Sequence, residues 1–130
     1  MKISIGLFGF GKTGSVVANE IIKDTDCDLK WVVRESSVYE GTYASRHLGY
    51  EHDEGRIHSI NGIDFTQFYK ENKVDVIIDF STSSAVNEYM NAAKYGTRIV
   101  SAISKYSEGE FESLAELSNQ TAVLYSPNIT

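Results

Sequence analysis

Three glycines, Gly9, Gly11 and Gly14, separate a short apolar run from an amphipathic run near the start of the chain. Residues 2–8 have the pattern of a β-strand, and residues 12–24 carry apolar side chains at helical spacing. A tight glycine turn between a strand and a helix restricts the fold strongly, because the helix must return along the strand that precedes it. The segment therefore predicts a strand–turn–helix unit with the helix close to the strand.

The same alternation of strand and helix patterns continues along the chain. Further strands are predicted over residues 29–34, 74–79, 97–103 and 122–125, and helices over residues 84–95 and from Ser107, where Ser107-x-x-Glu110 fits a capping box. Residues 35–63 show little periodicity, and we expect a long loop with a short helix near residues 42–48 and a short strand near 56–59. The pattern predicts an α/β fold of the Rossmann type: a doubly wound, mainly parallel sheet with helices on both faces.

Composition limits the number of domains and the classes of ligand. A chain of 130 residues suits one domain over residues 1–130, and its net charge of -6 argues against nucleic-acid binding, which needs a basic face. Cys27 is the only cysteine, so no disulfide can form within the chain, and no apolar run is long enough to span a membrane. We therefore expect a cytoplasmic protein. The three histidines show no recurring ligand spacing, so no metal site is expected.

The glycine segment Gly9-Phe10-Gly11-Lys12-Thr13-Gly14 fits the pattern G-x-G-x-x-G. Between a strand and a helix, this pattern is typical of dinucleotide binding. The first glycine takes the tight turn, the second lets the backbone approach a pyrophosphate, and the third lets the helix pack closely on the sheet. Free amides and the dipole at the helix N-terminus favour the phosphates. The alternative is a glycine-rich turn that binds no ligand.

The end of the second strand bears on the choice of cofactor. An acidic residue about 20 positions after the glycines holds the ribose hydroxyls of NAD, whereas an arginine accommodates the 2′-phosphate of NADP. This chain has Arg34 followed by Glu35 at that point. Arg34 favours NADPH, but a ribose contact from Glu35 would favour NADH, so both cofactors stay open.

Taken together, these segments resemble the N-terminal domain of dihydrodipicolinate reductase, an NAD(P)H-dependent family in the diaminopimelate route to lysine. The resemblance covers essentially the whole chain and is carried by the glycine segment, by Val76-Ile77-Ile78-Asp79-Phe80-Ser81 and by Ser126-Pro127-Asn128-Ile129-Thr130. Besides the glycine segment, Arg34 and Glu35, it implies cofactor contacts from Phe80, Ser81, Ala102, Ile103, Ser104, Ser126, Pro127, Asn128 and Ile129. The chain departs from the family at Ala102-Ile103-Ser104-Lys105, where the family typically has G-T-T-G.

The resemblance also implies a reaction: hydride transfer from the nicotinamide C4 to a cyclic unsaturated dicarboxylate. In the family, a second domain holds the substrate, supplies the catalytic groups and builds most of the homo-oligomer. We expect that domain to be absent here, so this chain has no catalytic residues and is inactive alone. Two alternatives remain open. The departure at residues 102–105 favours an amino-acid or diamino-acid dehydrogenase, and a non-catalytic nucleotide-sensing module would carry the same glycine segment.

Overall fold

The computed structural model describes residues 2–127, and six strands form its single sheet. The strand order is β3-β2-β1-β4-β5-β6, and all five pairings are parallel. This confirms the predicted Rossmann-type parallel sheet. The strands are β1 (Ile3–Phe8), β2 (Cys27–Arg34), β3 (Arg56–Ser59), β4 (Val76–Asp79), β5 (Arg98–Ser101) and β6 (Val123–Tyr125).

Within residues 2–127, five α-helices connect the strands. They are α1 (Lys12–Lys23), α2 (Ala44–His47), α3 (Phe65–Glu71), α4 (Val86–Tyr89) and α5 (Glu108–Leu117). Short 3-10 turns precede α3 at Ile60–Gly62 and flank α4 at Ser83–Ala85 and Met90–Tyr95. The predicted capping box of α5 is present, because Ser107 and Glu110 each accept a backbone hydrogen bond from the other.

Each face of the sheet has its own apolar core, because successive side chains of a strand point to opposite faces. Leu7 and Val32 pack with Ala18 and Ile21 of α1 on one face. On the other face, residues of β1 and β2 pack with side chains of α3, α4 and α5; this cluster includes Phe8, Trp31, Val33, Phe68, Tyr69, Val86, Tyr89, Leu114 and Leu117. The helices thus cover both faces, as the alternation predicts.

Helix α3 is an element that the sequence patterns above do not predict. Asp64 caps it by accepting a hydrogen bond from the Thr66 amide at 3.1 Å, and Phe68 and Tyr69 are buried against the sheet. The sequence does carry a signal for it, since an Asp cap precedes aromatic residues at helical spacing. The signal is weak because the helix has only seven residues.

The predicted helix over residues 84–95 is broken into α4 and its two flanking 3-10 turns. The hydroxyl of Tyr69 donates to the carbonyl of Glu88 at 2.8 Å. In a continuous α-helix that carbonyl would accept the amide of Ala92, so the side-chain bond competes with the helical one. Gly96, with a φ of 81°, ends the segment as predicted.

A reciprocal contact between Ser4 and Asp75 fixes the start of the β1–β4 pairing. The Ser4 amide donates to Asp75 Oδ2 at 2.9 Å, and the Asp75 amide donates to the Ser4 hydroxyl oxygen at 2.9 Å. The bond from the Ser4 amide is the main reason that the pKa of Asp75 lies below its ordinary value. A lowered folded-state pKa adds stability above the unfolded-state pKa, and this stability is lost as the pH falls through the folded-state pKa.

We expect Asp75→Asn to lower the free energy of unfolding at pH 7 by at most about 1 kcal/mol, because the carboxylate is exposed and screened. The difference from wild type should shrink towards zero as the pH falls below about 3.9. Urea unfolding at pH 7 and at low pH measures it, with the exposed Asp28→Asn as control. An undiminished difference at low pH would show that the ionised carboxylate contributes nothing.

Candidate functional site

A cleft of about 370 Å³ opens at the carboxyl edge of the sheet. The strand order reverses between β1 and β4, since the chain winds one way through β2 and β3 and the other way through β5 and β6. Open α/β sheets bind their ligands in the crevice at such a switch point. The cleft is lined by Phe8, Gly9, Phe10, Gly11, Val33, Arg34, Glu35, Ser36, Ile60, Phe80, Ser81 and Thr82.

The glycine segment forms the tight turn between β1 and α1. Gly9 has a φ of 107°, which side chains disfavour, and its amide donates to the Val33 carbonyl at 2.8 Å. A Cβ on Gly14 would lie 2.5 Å from the Gly9 carbonyl oxygen. Only glycine at position 14 therefore lets the helix pack this close to the turn. A Cβ on Gly11, by contrast, would meet no protein atom within 4 Å.

The N-terminus of α1 faces this open space without a side-chain cap. Gly11 is its N-cap residue, no side chain caps it, and its first turn contains no acidic residue. The first amides of a helix lack partners within the helix and carry a partial positive charge. Lys12 and Thr13 are exposed in the same turn. These features fit the pyrophosphate of a dinucleotide.

Arg34 and Glu35 line the cleft at the end of β2. Arg34 is half-buried, and its Nη1 donates to the Val38 carbonyl at 3.3 Å. Its guanidinium carbon lies 5.5 Å from the centre of the Tyr39 ring, and the centroid of that ring lies 3.9 Å from that of the His47 ring, with the two planes tilted by 31°. The bond to Val38 engages one of five guanidinium N–H groups, so the side chain keeps donors for an anion.

A second cleft, of about 310 Å³, lies on the other side of the switch point. Phe80 and Ser81 line both clefts, so the two spaces meet at the loop after β4. Ala102 and Ile103 are largely buried, whereas Ser104 and Lys105 are exposed. The full lining is Thr13, Phe80, Ser81, Ser83, Ala102, Ile103, Ser104 and Lys105.

Asp79, the last residue of β4, is a fully buried carboxyl group beside this second cleft. Its Oδ1 accepts hydrogen bonds from the amide and the hydroxyl of Ser81, at 2.9 and 2.6 Å, and its Oδ2 accepts one from Tyr89 at 2.9 Å. Burial raises the pKa of Asp79 above its ordinary value, although the three donors act in the opposite direction. The carboxyl group thus holds the loop that lines both clefts.

Most of the predicted contact residues come together at this edge, but not all of them. Lys12 lines neither cleft, and Gly14 is buried under the turn. Ser126 and Pro127 also line neither cleft, although the Ser126 amide donates to the Ser101 carbonyl at 2.8 Å. Asn128 and Ile129 lie outside the described residues.

Sequence reasoning missed Ile60 in the first cleft. Ile60 directly follows β3, just beyond the carboxyl end of a strand, so the rule that strand ends line the site applies to it as well. Ile60 escapes the rule when residues 35–63 are interpreted as one irregular loop.

The histidines form local contacts and no metal centre. Within residues 2–127, no three His, Cys, Asp or Glu side chains come close enough to hold a metal ion. His52 Nε2 lies 2.8 Å from Glu54 Oε1, and His47 Nε2 lies 2.8 Å from Thr42 Oγ1.

None of the helices within residues 2–127 has the length and apolarity to cross a bilayer.

A sequence-family comparison decides the relationship that the site geometry indicates. The family described as "Dihydrodipicolinate reductase, N-terminus" matches residues 3–129. The chain belongs to this family. The match spans nearly the whole chain and confirms the resemblance drawn from the glycine segment and the Asp79-Phe80-Ser81 segment. No curated protein sequence matches the chain.

Solved structures of dehydrogenases and reductases share this fold. Dipicolinate-bound dihydrodipicolinate reductase from Paenisporosarcina sp. TG-14 has a TM-score of 0.71 at 17% identity, over 98% of this chain and 48% of that one. An amine dehydrogenase from Mycobacterium smegmatis has a TM-score of 0.70 at 18% identity, over 95% of this chain and 38% of that one. Scyllo-inositol dehydrogenase from Lactobacillus casei, with bound NAD(H) and scyllo-inositol, has a TM-score of 0.63 at 18% identity, over 95% of this chain and 36% of that one. At these identities the likeness shows the fold, and this reductase-family chain spans half or less of each structure.

Proposed function

We propose that this domain binds NAD(P)H across the switch point between β1 and β4. The pyrophosphate is held by the glycine segment at the N-terminus of α1, the adenosine end lies towards Arg34, and the nicotinamide end lies towards the second cleft. The observation that carries the proposal is the glycine geometry. Gly14 has no room for a side chain, whereas Gly11 faces open space beside uncapped amides, which is what the approach of a pyrophosphate requires.

We propose NADPH as the preferred cofactor. The guanidinium of Arg34 lines the first cleft and has donors left for a phosphate, and Ser36 lies beside it. Glu35 lines the same cleft and would suit the ribose hydroxyls of NADH. A single arginine–phosphate contact adds about 1.5–3 kcal/mol, which is enough to decide between the two cofactors.

As part of a whole enzyme, the domain would serve a reductase of the dihydrodipicolinate type in lysine biosynthesis. When bound, the dihydronicotinamide supplies a hydride from C4. The chain's own residues would bind and orient that cofactor: the amides of residues 11–14 hold phosphate, and Phe80, Ser81 and Ser104 line the nicotinamide end. The dicarboxylate and the proton donor would belong to a second domain, and the whole protein would be a cytoplasmic homo-oligomer.

One observation favours a different substrate. Ala102, Ile103, Ser104 and Lys105 line the second cleft, and the exposed ammonium of Lys105 adds a charge that the family's usual segment lacks. A different wall at the nicotinamide end would suit a different acceptor, such as the imine of an amino-acid or diamino-acid dehydrogenase. A nucleotide-sensing module also stays an alternative, since it would use the same glycine segment.

Calorimetric titration of the chain with NADPH and NADH tests the proposal. We expect micromolar binding of NADPH at one site per chain and weaker binding of NADH. Binding of NADH alone would transfer the ribose contact to Glu35 and refute the NADPH preference. Absence of binding by either cofactor would show that the glycine segment of this domain is only a turn.

A further inference from the structure

A chain of hydroxyl and carboxyl groups joins the end of β4 to the end of β5. The Tyr89 hydroxyl donates to Asp79 Oδ2 at 2.9 Å and lies 3.4 Å from the Tyr106 hydroxyl, which in turn lies 2.5 Å from the Ser101 hydroxyl. Asp79, Tyr89 and Ser101 are fully buried, and Tyr106 is half-buried. Buried polar groups cost free energy unless they are bonded, so each member restricts the position of the next.

Both ends of this chain of polar groups form hydrogen bonds to backbone atoms of the second cleft. Asp79 accepts the Ser81 amide at 2.9 Å, and the Ser101 hydroxyl oxygen accepts the Ile103 amide at 3.4 Å. Ser81 and Ile103 belong to the two loops that line this cleft, one after β4 and one after β5. The Asp79 carbonyl also accepts the Ala102 amide at 3.0 Å, so the two loops are linked by backbone as well.

We propose that Asp79, Tyr89, Tyr106 and Ser101 are positioning residues that set the spacing of these two loops and thereby shape the nicotinamide end of the site. The inference rests on the proposed dinucleotide binding. None of the four lines either cleft, so they act through the loops and not by contact with a ligand. Arg34 lies across the switch point and is not part of the chain of groups. The loop after β5 lines the second cleft and not the first. Breaking the link to this loop at Tyr106 should therefore weaken the nicotinamide contacts and spare the adenosine contacts.

Tyr106→Phe is the sharpest variant, because it removes the middle link and keeps the bond from Tyr89 to Asp79. Tyr95→Phe is the matched control, since Tyr95 is half-buried and packs against the same apolar core as Tyr106 but is not part of the chain of groups. We expect Tyr106→Phe to weaken NADPH binding about five- to tenfold by calorimetry. The affinity for 2′,5′-ADP, which has no nicotinamide, should stay at the wild-type value. Equal weakening of both ligands, or no weakening of NADPH, would overturn the inference.

A double-mutant cycle with Ser101→Ala tests whether the two side chains act through one bond. Ser101→Ala removes the bonds of Ser101 to both Tyr106 and the Ile103 amide. If Tyr106 acts through Ser101, the double variant should lose no more NADPH affinity than the Ser101→Ala variant alone. Additive losses would mean that Tyr106 and Ser101 act separately and would overturn the proposed chain.

Amide hydrogen exchange gives a readout that needs no ligand. We expect Tyr106→Phe to speed exchange at the Ser81 and Ile103 amides and the Tyr95→Phe control to leave both rates unchanged. Unchanged rates in Tyr106→Phe would overturn the positioning role. If wild type bound no NADPH, the proposed function would fail, while faster exchange in Tyr106→Phe would still support the link between the loops.

Discussion

Replacing Gly11 by Asp should abolish NADPH binding and leave the domain folded. A Cβ at this position would meet no protein atom within 4 Å, and the backbone there is extended, so the fold can accept a side chain. Asp is a good N-cap and its charge suits the positive end of α1, so stability should be unchanged or raised by about 0.5 kcal/mol. The same carboxylate would repel a pyrophosphate at close range, which should cost at least about 100-fold in affinity.

Two further glycine variants control this experiment. Gly11→Ser caps the helix without adding charge, so it should bind NADPH more tightly than Gly11→Asp. Gly14→Ala should instead destabilise the domain by about 1–3 kcal/mol, because its Cβ would meet the Gly9 carbonyl oxygen. Thermal unfolding and calorimetry separate the two effects. Wild-type NADPH affinity in Gly11→Asp would mean that the glycine segment is a turn with no role in binding.

Replacing Arg34 by Ala should weaken NADPH binding about 10- to 100-fold, while NADH binding changes less than about twofold. The guanidinium lines the first cleft, and charge-assisted bonds to phosphate are the strongest that a side chain offers there. NADH has no 2′-phosphate, so removing the guanidinium should change its affinity little. Calorimetry with both cofactors measures the selectivity directly.

Arg98→Ala is the matched control for Arg34, because Arg98 is exposed at the start of β5 and therefore lies at the opposite edge of the parallel sheet. It should leave both affinities unchanged. Equal weakening of NADPH and NADH by Arg34→Ala would contradict a 2′-phosphate contact. It would indicate instead that Arg34 supports the loop through Val38 and Tyr39.

The site's local parts could be predicted from the sequence because they depend on neighbouring residues. The turn at Gly9 and the close packing of Gly14 follow from the absence of side chains, and the start of α1 at Lys12 follows from the glycine turn. The parallel direction of the strands follows from the same local alternation of strands and helices. Residues at the carboxyl ends of parallel strands, such as Arg34 and Phe80, are therefore predicted to lie at one edge of the sheet, and they do.

Long-range contacts could not be predicted in this way. The sequence pattern over residues 84–95 is that of a continuous helix, and it gives no sign of the bond from Tyr69 to the Glu88 carbonyl that competes with the helical bonds there. The chain of polar groups from Asp79 to Ser101 passes through Tyr89 and Tyr106. From the sequence alone, both tyrosines fit equally well as apolar core residues. No periodicity shows which hydroxyl meets which carboxyl, because that depends on how β4, α4, β5 and the loop after β5 pack together. The sequence thus identified the loops that line the site but not the polar contacts that link the loop after β4 to the loop after β5.

A dinucleotide bound across the switch point would place its two ends in the two clefts and its pyrophosphate between them. Backbone amide NMR of the chain titrated with NADPH can locate all three parts at once. We predict that the largest shift changes fall on residues 9–14, 34–36, 80–83 and 102–104, with little change at β6 or α5. Saturable changes confined to the outer strands or the far edge of the sheet, or no changes at all, would contradict binding at the switch point.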